Sequence, residues 1–279
     1  MSLCQRQRGD DSEAFRTLLD NIANGTPTDV DYQLLMSRRE AVIVCHCGID
    51  GCLRCIETKS FANAIKLFPT NDKVNEANNA YLASTGNPVA RILSENNPHT
   101  GSKEKGKTLQ HVLNLSTGCR VMLRKNIAVQ FGLVNSSIGT LHSIIYAPGS
   151  VPPSLPLYIL VHFPNYTGPC LIDYLFPIVP TTENWTKSGT TFNRKQLPVS
   201  LAHAVTGHKS QGLTLPKVVV DIGEKEMSAG ITYVELSRVP KLTDLMIVGY
   251  FTKQRLEDIA KMKDHRDKLA FIQKYWPRR

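Results

Sequence analysis

No apolar run in the 279 residues approaches the roughly eighteen needed to span a bilayer, so no membrane partner is expected. Met1 to Asp10 is polar and basic and lacks an apolar core, which argues against a secretory signal. No internal repeat is visible, which argues against a solenoid. The cysteines number seven, an odd count that does not suit a disulfide scaffold and points to a reducing, intracellular compartment. The nucleus is favoured and the mitochondrion is the alternative, although no clear address for either is present. Acidic residues are also short: 24 Asp and Glu face 33 Lys and Arg, a net charge of +9. That excess points towards polyanions such as nucleic acid, though charge alone is a weak signal. With 42% hydrophobic residues the chain can bury a core, as one large domain or two modest ones.

Periodicity predicts the elements. Phe15, Leu18, Leu19, Ile22 and Ala23 share a helical face that stops at Gly25, and Thr28 offers an N-cap for a second helix ending near Ser37. Ala41 to Cys45 reads as a short buried strand, and a helix is expected from Ser60 to Lys66. Leu67 to Asn71 reads as a strand end entering a helix with Val74, Ala77 and Tyr81 on one face, and 96–107 as a loop. From Thr117 the pattern turns to β: Cys119 to Leu123, Ile138 to Tyr146, Leu157 to Phe163 and Cys170 to Val179. Residues 132–199 therefore read as a small antiparallel barrel or sandwich inserted into an α/β domain. The α/β rhythm resumes with a buried strand at Lys217 to Ile222, a helix at Ile231 to Val239, a strand at Leu245 to Tyr250 and a long basic helix from Thr252 towards Trp276.

Chemistry concentrates between Thr206 and Val239. Thr206, Gly207, His208, Lys209, Ser210, Gln211 and Gly212 form a turn of short hydroxyl, amide and basic groups ahead of a buried strand. In an open α/β sheet, ligands gather at such loops. These side chains suit gripping a phosphodiester rather than reading bases, and an ordinary polar loop is the alternative. Gly230 to Val239 follows, with Ser237 and Arg238 near its end.

These two segments resemble motifs V and VI of the Pif-type and RecD-like superfamily-1 DNA helicases. Upstream, Leu67 to Asn71 with Val74 and Asn78 resembles that family's first DNA-facing segment of the second motor domain. Gly118 to Asn126, followed by Gly132 to Thr140, resembles the stretch that opens its SH3-like insert, and Phe15 to Arg39 the tail of its first motor domain. Four ordered motifs are more specific than any one of them, and the divergence is similar to that of Helitron transposon helicases.

The resemblance implies an α/β fold: a RecA-like second motor domain, with a parallel sheet and flanking helices, carrying an SH3-like β-barrel. Residues 1–58 would be the remnant tail of a first motor domain and linker, 59–131 and 200–279 the second motor domain, and 132–199 the insert. Arg238 would be the arginine finger for ATP hydrolysis, with Gln211 coupling and Gly212 and Ser237 on the nucleotide side; a salt-bridged helix-end arginine is the alternative. Thr70, Asn71, Thr206, His208, Lys209 and Ser210 would hold single-stranded DNA. ATP and Mg2+ would require a complementary N-terminal motor domain, in cis or in trans. The sequence departs from the family at Ile231, where glutamine is usual, at Gly207, where an apolar residue is usual, and at Glu235, where a small one is usual. A carboxylate at 235 is expected on the outer face of its helix.

Gly101 to Thr108 matches G-x-x-x-x-G-K-[ST] to the letter. Such a loop needs a buried strand before it and a helix after it. Ser94 to Thr100 is polar with a proline, so no strand is expected to feed it, and no second carboxylate stands beside Asp221 as a Walker B partner. The match reads as a loop; a self-sufficient NTPase using Lys107 is the competing reading.

Cys45, Cys47, Cys52 and Cys55 give C-x-C-x4-C-x2-C, which could close a zinc site or be free cysteines in a surface hairpin. Cys4, Cys119 and Cys170 have no nearby partners, and His203 is expected in the core. In the tail, Lys253, Arg255, Lys261, Lys263, Arg266 and Lys268 could touch phosphates or form a solvated face opposite Leu256, Ile259 and Phe271. The function expected is the DNA-gripping half of a helicase motor. A non-catalytic single-stranded nucleic-acid-binding module derived from a transposon helicase is the alternative.

Overall fold

The computed structural model describes residues 13–103, 108–169 and 174–275. The chain divides into two compact units, Met1–Asn75 with Ala204–Arg279, and Glu76–His203.

In the first unit, α1 (Glu13–Asn24) buries Phe15, Leu18, Leu19, Ile22 and Ala23 and ends at Gly25, as its periodicity predicts. Helix α2 (Asp29–Ser37) starts at a capping box in which the Thr28 hydroxyl accepts from the Asp31 N–H and the Asp31 carboxylate accepts from Thr28. The predicted strand at Ala41 to Cys45 is instead a helical turn, α3 (Glu40–Ile43). Only Arg39 bridges the neighbouring strand, at Ile247, so the β-branched run has no continuing ladder to join. The helix expected from Ser60 also lies earlier, as α4 (Leu53–Ser60). Strand β1 (Ile65–Phe68) follows and leads into α5 (Asn71–Ser84), whose buried positions are Val74, Asn78 and Leu82.

The second unit is β-rich. Strands β2 (Ala90–Leu93) and β4 (Val112–Leu115) pair antiparallel. Between them β3 (Glu95–Asn97) and a 3₁₀ turn at His99–Lys103 replace part of the expected loop, because β3 finds an antiparallel partner in the later strand β10. Strands β5 (Arg120–Leu123), β6 (Ile138–Ile145), β7 (Tyr158–His162) and β8 (Leu175–Ile178) form consecutive antiparallel pairs. β9 (Thr181–Lys187) and β10 (Thr190–Gln196) make a hairpin, and β11 (Val199–Leu201) returns to β5. Among the described residues the sheet order is β11-β5-β6-β7-β8, with β11 and β8 as its edges rather than a closed ring. The sheet thus draws β5 from outside 132–199. One core, including Leu82, Ile92, Leu113, Val121, Leu141, Ile159, Ile178 and Leu197, draws on α5 and on strands β2, β4 to β8 and β11.

The chain then re-enters the first unit through β12 (Ala204–Thr206), α6 (Gly207–Ser210), β13 (Val218–Val220), α7 (Ile231–Leu236) and β14 (Leu245–Ile247). The sheet order is β12-β1-β13-β14 and every pair is parallel. Its short strands are almost wholly apolar, as a sheet covered on both faces requires. The long tail helix is broken into α8 (Lys253–Glu257), a 3₁₀ turn at Asp258–Lys261 and α9 (Lys263–Tyr275). Met262 is extended where the break falls, with Leu256 and Ile259 buried before it. Phe271, expected on the apolar face, is 54% exposed. No described helix is long and apolar enough to cross a membrane.

Candidate nucleic-acid interface

Parallel pairing puts the C-terminal ends of β1 and β12 side by side, with Phe68 opposite Thr206. The chain leaves β1 through Pro69, Thr70 and Asn71, and leaves β12 through α6, so the two segments singled out in the sequence emerge at the same end of the sheet. That is where ligands collect in an open α/β sheet. Thr70 Oγ1 accepts from the Lys73 N–H at 3.4 Å, and Asn71 is exposed.

Within 206–212 the side chains divide. His208 and Gln211 are exposed, Lys209 is half-buried, and Thr206 and Ser210 are buried. The Ser210 hydroxyl turns inward and donates to the Gly207 carbonyl at 2.7 Å, so it braces the turn instead of facing solvent. His208 Nε2 lies 2.9 Å from Ser228 Oγ, which fixes the ring. Gly212 takes a left-handed conformation, φ +87°, and is exposed.

Arg238 is 5% exposed and follows α7 at Ser237. Its guanidinium donates to the carbonyls of Ser210 at 3.2 Å and Leu213 at 3.1 Å, and to Ser237 Oγ at 2.7 Å. The arginine therefore staples the end of α7 to the loop after α6.

Glu235 is not on the outer face of its helix. It is 1% exposed, its Oε1 has no hydrogen-bond partner, and it sits against Gly207. A Cβ on Gly207 would come within 2.8 Å of Glu235 Cγ and Cδ. The two departures are thus one arrangement: the larger side chain at 235 fills the space that a residue at 207 would need. Burial pushes the Glu235 carboxyl up to about 8, with Glu226 adding to the rise and Arg255 opposing it.

Several participants were invisible in the sequence. Lys73 pairs with Asp221 at 2.7 Å beyond the end of β13, and Asp221 Oδ1 accepts from the Gly223 N–H. Arg255, read as part of a basic face, is buried instead. It pairs with Glu226 at 3.0 Å and donates to the Ile222 carbonyl and Thr232 Oγ1 at 2.8 Å each. No local pattern marks these pairs, because their partners come from distant segments.

The Gly101–Thr108 match falls between β3 and β4, in antiparallel sheets, with no helix after it; residues 104–107 lie outside the described residues. The short β3 does precede the loop, contrary to the sequence reading, but it is not a strand of the parallel sheet. Glu183 accepts from the Thr108 N–H at 2.9 Å, from Thr108 Oγ1 at 2.7 Å and from the Leu109 N–H at 3.1 Å. At this end of the match the Thr108 hydroxyl and the N–H groups of Thr108 and Leu109 are therefore already taken by a carboxylate. Arg194 closes the other side, donating to the Gly101 and Leu109 carbonyls and lying over Trp185.

The four thiols of Cys45, Cys47, Cys52 and Cys55 lie within 4.8 Å of one another. Cys119 is buried, and burial raises its thiol above the usual range; Cys4 and Cys170 lie outside the described residues. His203 is buried and stacks on Tyr81 at 4.0 Å, as a core residue would.

A four-stranded parallel sheet flanked by helices, with polar loops at its C-terminal strand ends, is the architecture of a RecA-like motor core. In sequence the chain is similar to ATP-dependent DNA helicases named PIF1 and PIF7. No protein-family model matches the chain. It is 30% identical over 193 residues to human ATP-dependent DNA helicase PIF1, covering 67% of this chain and 27% of that protein. It is 33% identical over 148 residues to the Mus musculus protein of the same name, covering 51% of this chain and 20% of the relative. Among solved structures, Candida albicans Pif1 helicase superposes with a TM-score of 0.68 at 24% identity, covering 97% of this chain and 59% of that one. Bacteroides Pif1 bound to ssDNA gives 0.65 at 20% identity, covering 97% and 55%. The chain thus spans about a quarter or less of these curated relatives and under two thirds of the solved chains.

Proposed function

We propose that this chain is the C-terminal half of an ATP-dependent DNA helicase: it grips single-stranded DNA and donates Arg238 to ATP hydrolysis. A first motor domain, in cis or in trans, would carry ATP and Mg2+. The observation that carries this reading is the emergence of 69–71 and 206–212 together at the C-terminal edge of the parallel sheet. Thr70, Asn71, His208 and Lys209 would line the DNA path, with Thr206 and Ser210 shaping it from behind. In this reading 1–58 is the tail of the first motor domain, 59–131 with 200–279 the second motor domain, and 132–199 an SH3-like insert. Gln211, Gly212 and Ser237 would lie between the DNA and the nucleotide.

Arg238 ties the two functions together, since its guanidinium already holds the Ser210 and Leu213 carbonyls. Swinging it towards a γ-phosphate would release the loop that holds the DNA. A fixed guanidinium there is worth roughly 10³–10⁵ in turnover. The test is DNA-stimulated hydrolysis by this chain mixed with a Pif1-type first motor domain. Arg238→Lys should abolish hydrolysis and, by loosening the hold on the Ser210 and Leu213 carbonyls, weaken single-stranded DNA binding without abolishing it, read by fluorescence anisotropy. Lys209→Ala should weaken DNA binding and shallow its salt dependence by about one phosphate contact. Hydrolysis unchanged by Arg238→Lys would sink the finger assignment.

The burial of Arg238 against backbone carbonyls also favours a second reading, a non-catalytic single-stranded nucleic-acid-binding module derived from a transposon helicase. Under that reading DNA binding persists and no complementary domain restores hydrolysis.

A further inference from the structure

The segment between α3 and α4 is folded around sulfur. Cys45 and Cys47 lie on the chain leaving α3, Cys52 is the N-cap residue of α4, and Cys55 sits in its first turn. Between the two pairs, Gly48 and Gly51 adopt left-handed conformations, φ +71° and +74°, which turns the chain back on itself within a few residues. All four Sγ atoms fall within 4.8 Å of one another, and Cys47 and Cys55 approach to 3.5 Å. A tetrahedral metal with bonds of about 2.3 Å holds its sulfurs about 3.8 Å apart, so this cluster is close to the required spacing.

Groups around the sulfurs fix the backbone that carries them. The Cys45 N–H donates to Thr58 Oγ1 at 3.0 Å, and Thr58 donates in turn to the Arg54 carbonyl at 2.8 Å. The Arg54 guanidinium spans the knuckle from below, donating to the carbonyls of Val42 at 2.7 Å and Val44 at 3.2 Å. The apolar support is small. Ile43 and Phe61 flank the loop and pack with Ala64, Val219 and Met246, while α4 buries none of its own residues. A hairpin with so little core needs a cross-link to hold its shape.

We propose that Cys45, Cys47, Cys52 and Cys55 bind a single zinc ion in a closed, structural site that staples the α3–α4 hairpin. Four soft thiolates at this spacing suit zinc, and with four positions taken by protein no ligand position is left for catalysis. On binding, each thiol loses its proton to solvent as its sulfur–metal bond forms, and nothing is oxidised or reduced. The site does not depend on the helicase reading, since every residue in it lies between the end of α3 and the first turn of α4.

The test uses the full chain, isolated under reducing conditions. Elemental analysis should find about one zinc per chain. After chelation, titration with cobalt(II) alone should produce the intense visible bands of a tetrahedral tetrathiolate, displaced when zinc is added. Cys52→Ser and Cys55→Ser should lose the bound zinc, whereas Cys119→Ala should keep it. Because a variant can lose metal merely by unfolding, the wild-type cobalt titration decides. A weak octahedral spectrum, iron in place of zinc, or a Cys47–Cys55 disulfide in freshly isolated, metal-free chain would overturn the site.

Discussion

At position 235 a carboxyl group is held where water cannot reach it, and its titration is open to measurement. An unfolded chain ionises Glu235 near the ordinary carboxylate value of 4.5, whereas the folded chain keeps the proton up to about 8. The unfolded state therefore loses its proton first, and stability present at low pH drains away as pH rises through that window. The slope should be at most about 1.4 kcal/mol per pH unit, read from urea unfolding at several pH values. Glu235→Gln keeps the shape and removes the charge, so it should flatten the profile; an unchanged slope would assign it to another group. Gly207→Ala should destabilise by about 1–3 kcal/mol through the collision with Glu235. In the background of Glu235→Ala the same change should be close to neutral, a coupling that a double-mutant cycle measures directly. The sequence showed both residues as oddities but not as partners, since no spacing rule connects a turn after one strand with a helix beyond the next.

Among the elements, those built on local signals were legible. The amphipathic spacing of α1, the Thr28 cap of α2 and the alternation along β6 and β7 all act within a few residues, and all appear where expected. Ala41 to Cys45 failed because a β-branched run becomes a strand only if a neighbour offers it a ladder, and here only Arg39 is bridged. The tail failed for a related reason. Arg255 turns inward to meet Glu226, which ties α8 to the end of β13 and separates it from the continuing basic helix. Replacing Arg255 by alanine leaves Glu226 buried without its partner, and should lower stability by roughly 3–5 kcal/mol, seen as a fall in the thermal midpoint. Glu183 likewise holds the Thr108 end of the Gly101–Thr108 match. Lys107→Ala should accordingly leave nucleotide binding, followed by calorimetry, unchanged.

For the whole molecule, the order of motifs gave the architecture before any single motif gave chemistry. A parallel sheet interrupted by a β-rich unit could be read from where the hydrophobic period changes from helical to alternating and back. The strand order within each unit could not, because pairing β12 with β1 and β11 with β5 joins residues far apart in sequence. The candidate site was legible as a set of segments; which side chains face outward became clear only from the fold, where Ser210 and Thr206 turn in and His208 and Gln211 turn out. The packing of Gly207 on Glu235 also constrains how such a chain can change over generations. A bulkier residue arriving first at 207 meets an occupied space, while a smaller one arriving first at 235 leaves only a void. A route to a larger residue at 207 therefore runs through a smaller one at 235 first, so the pair is a ratchet that yields from one side only.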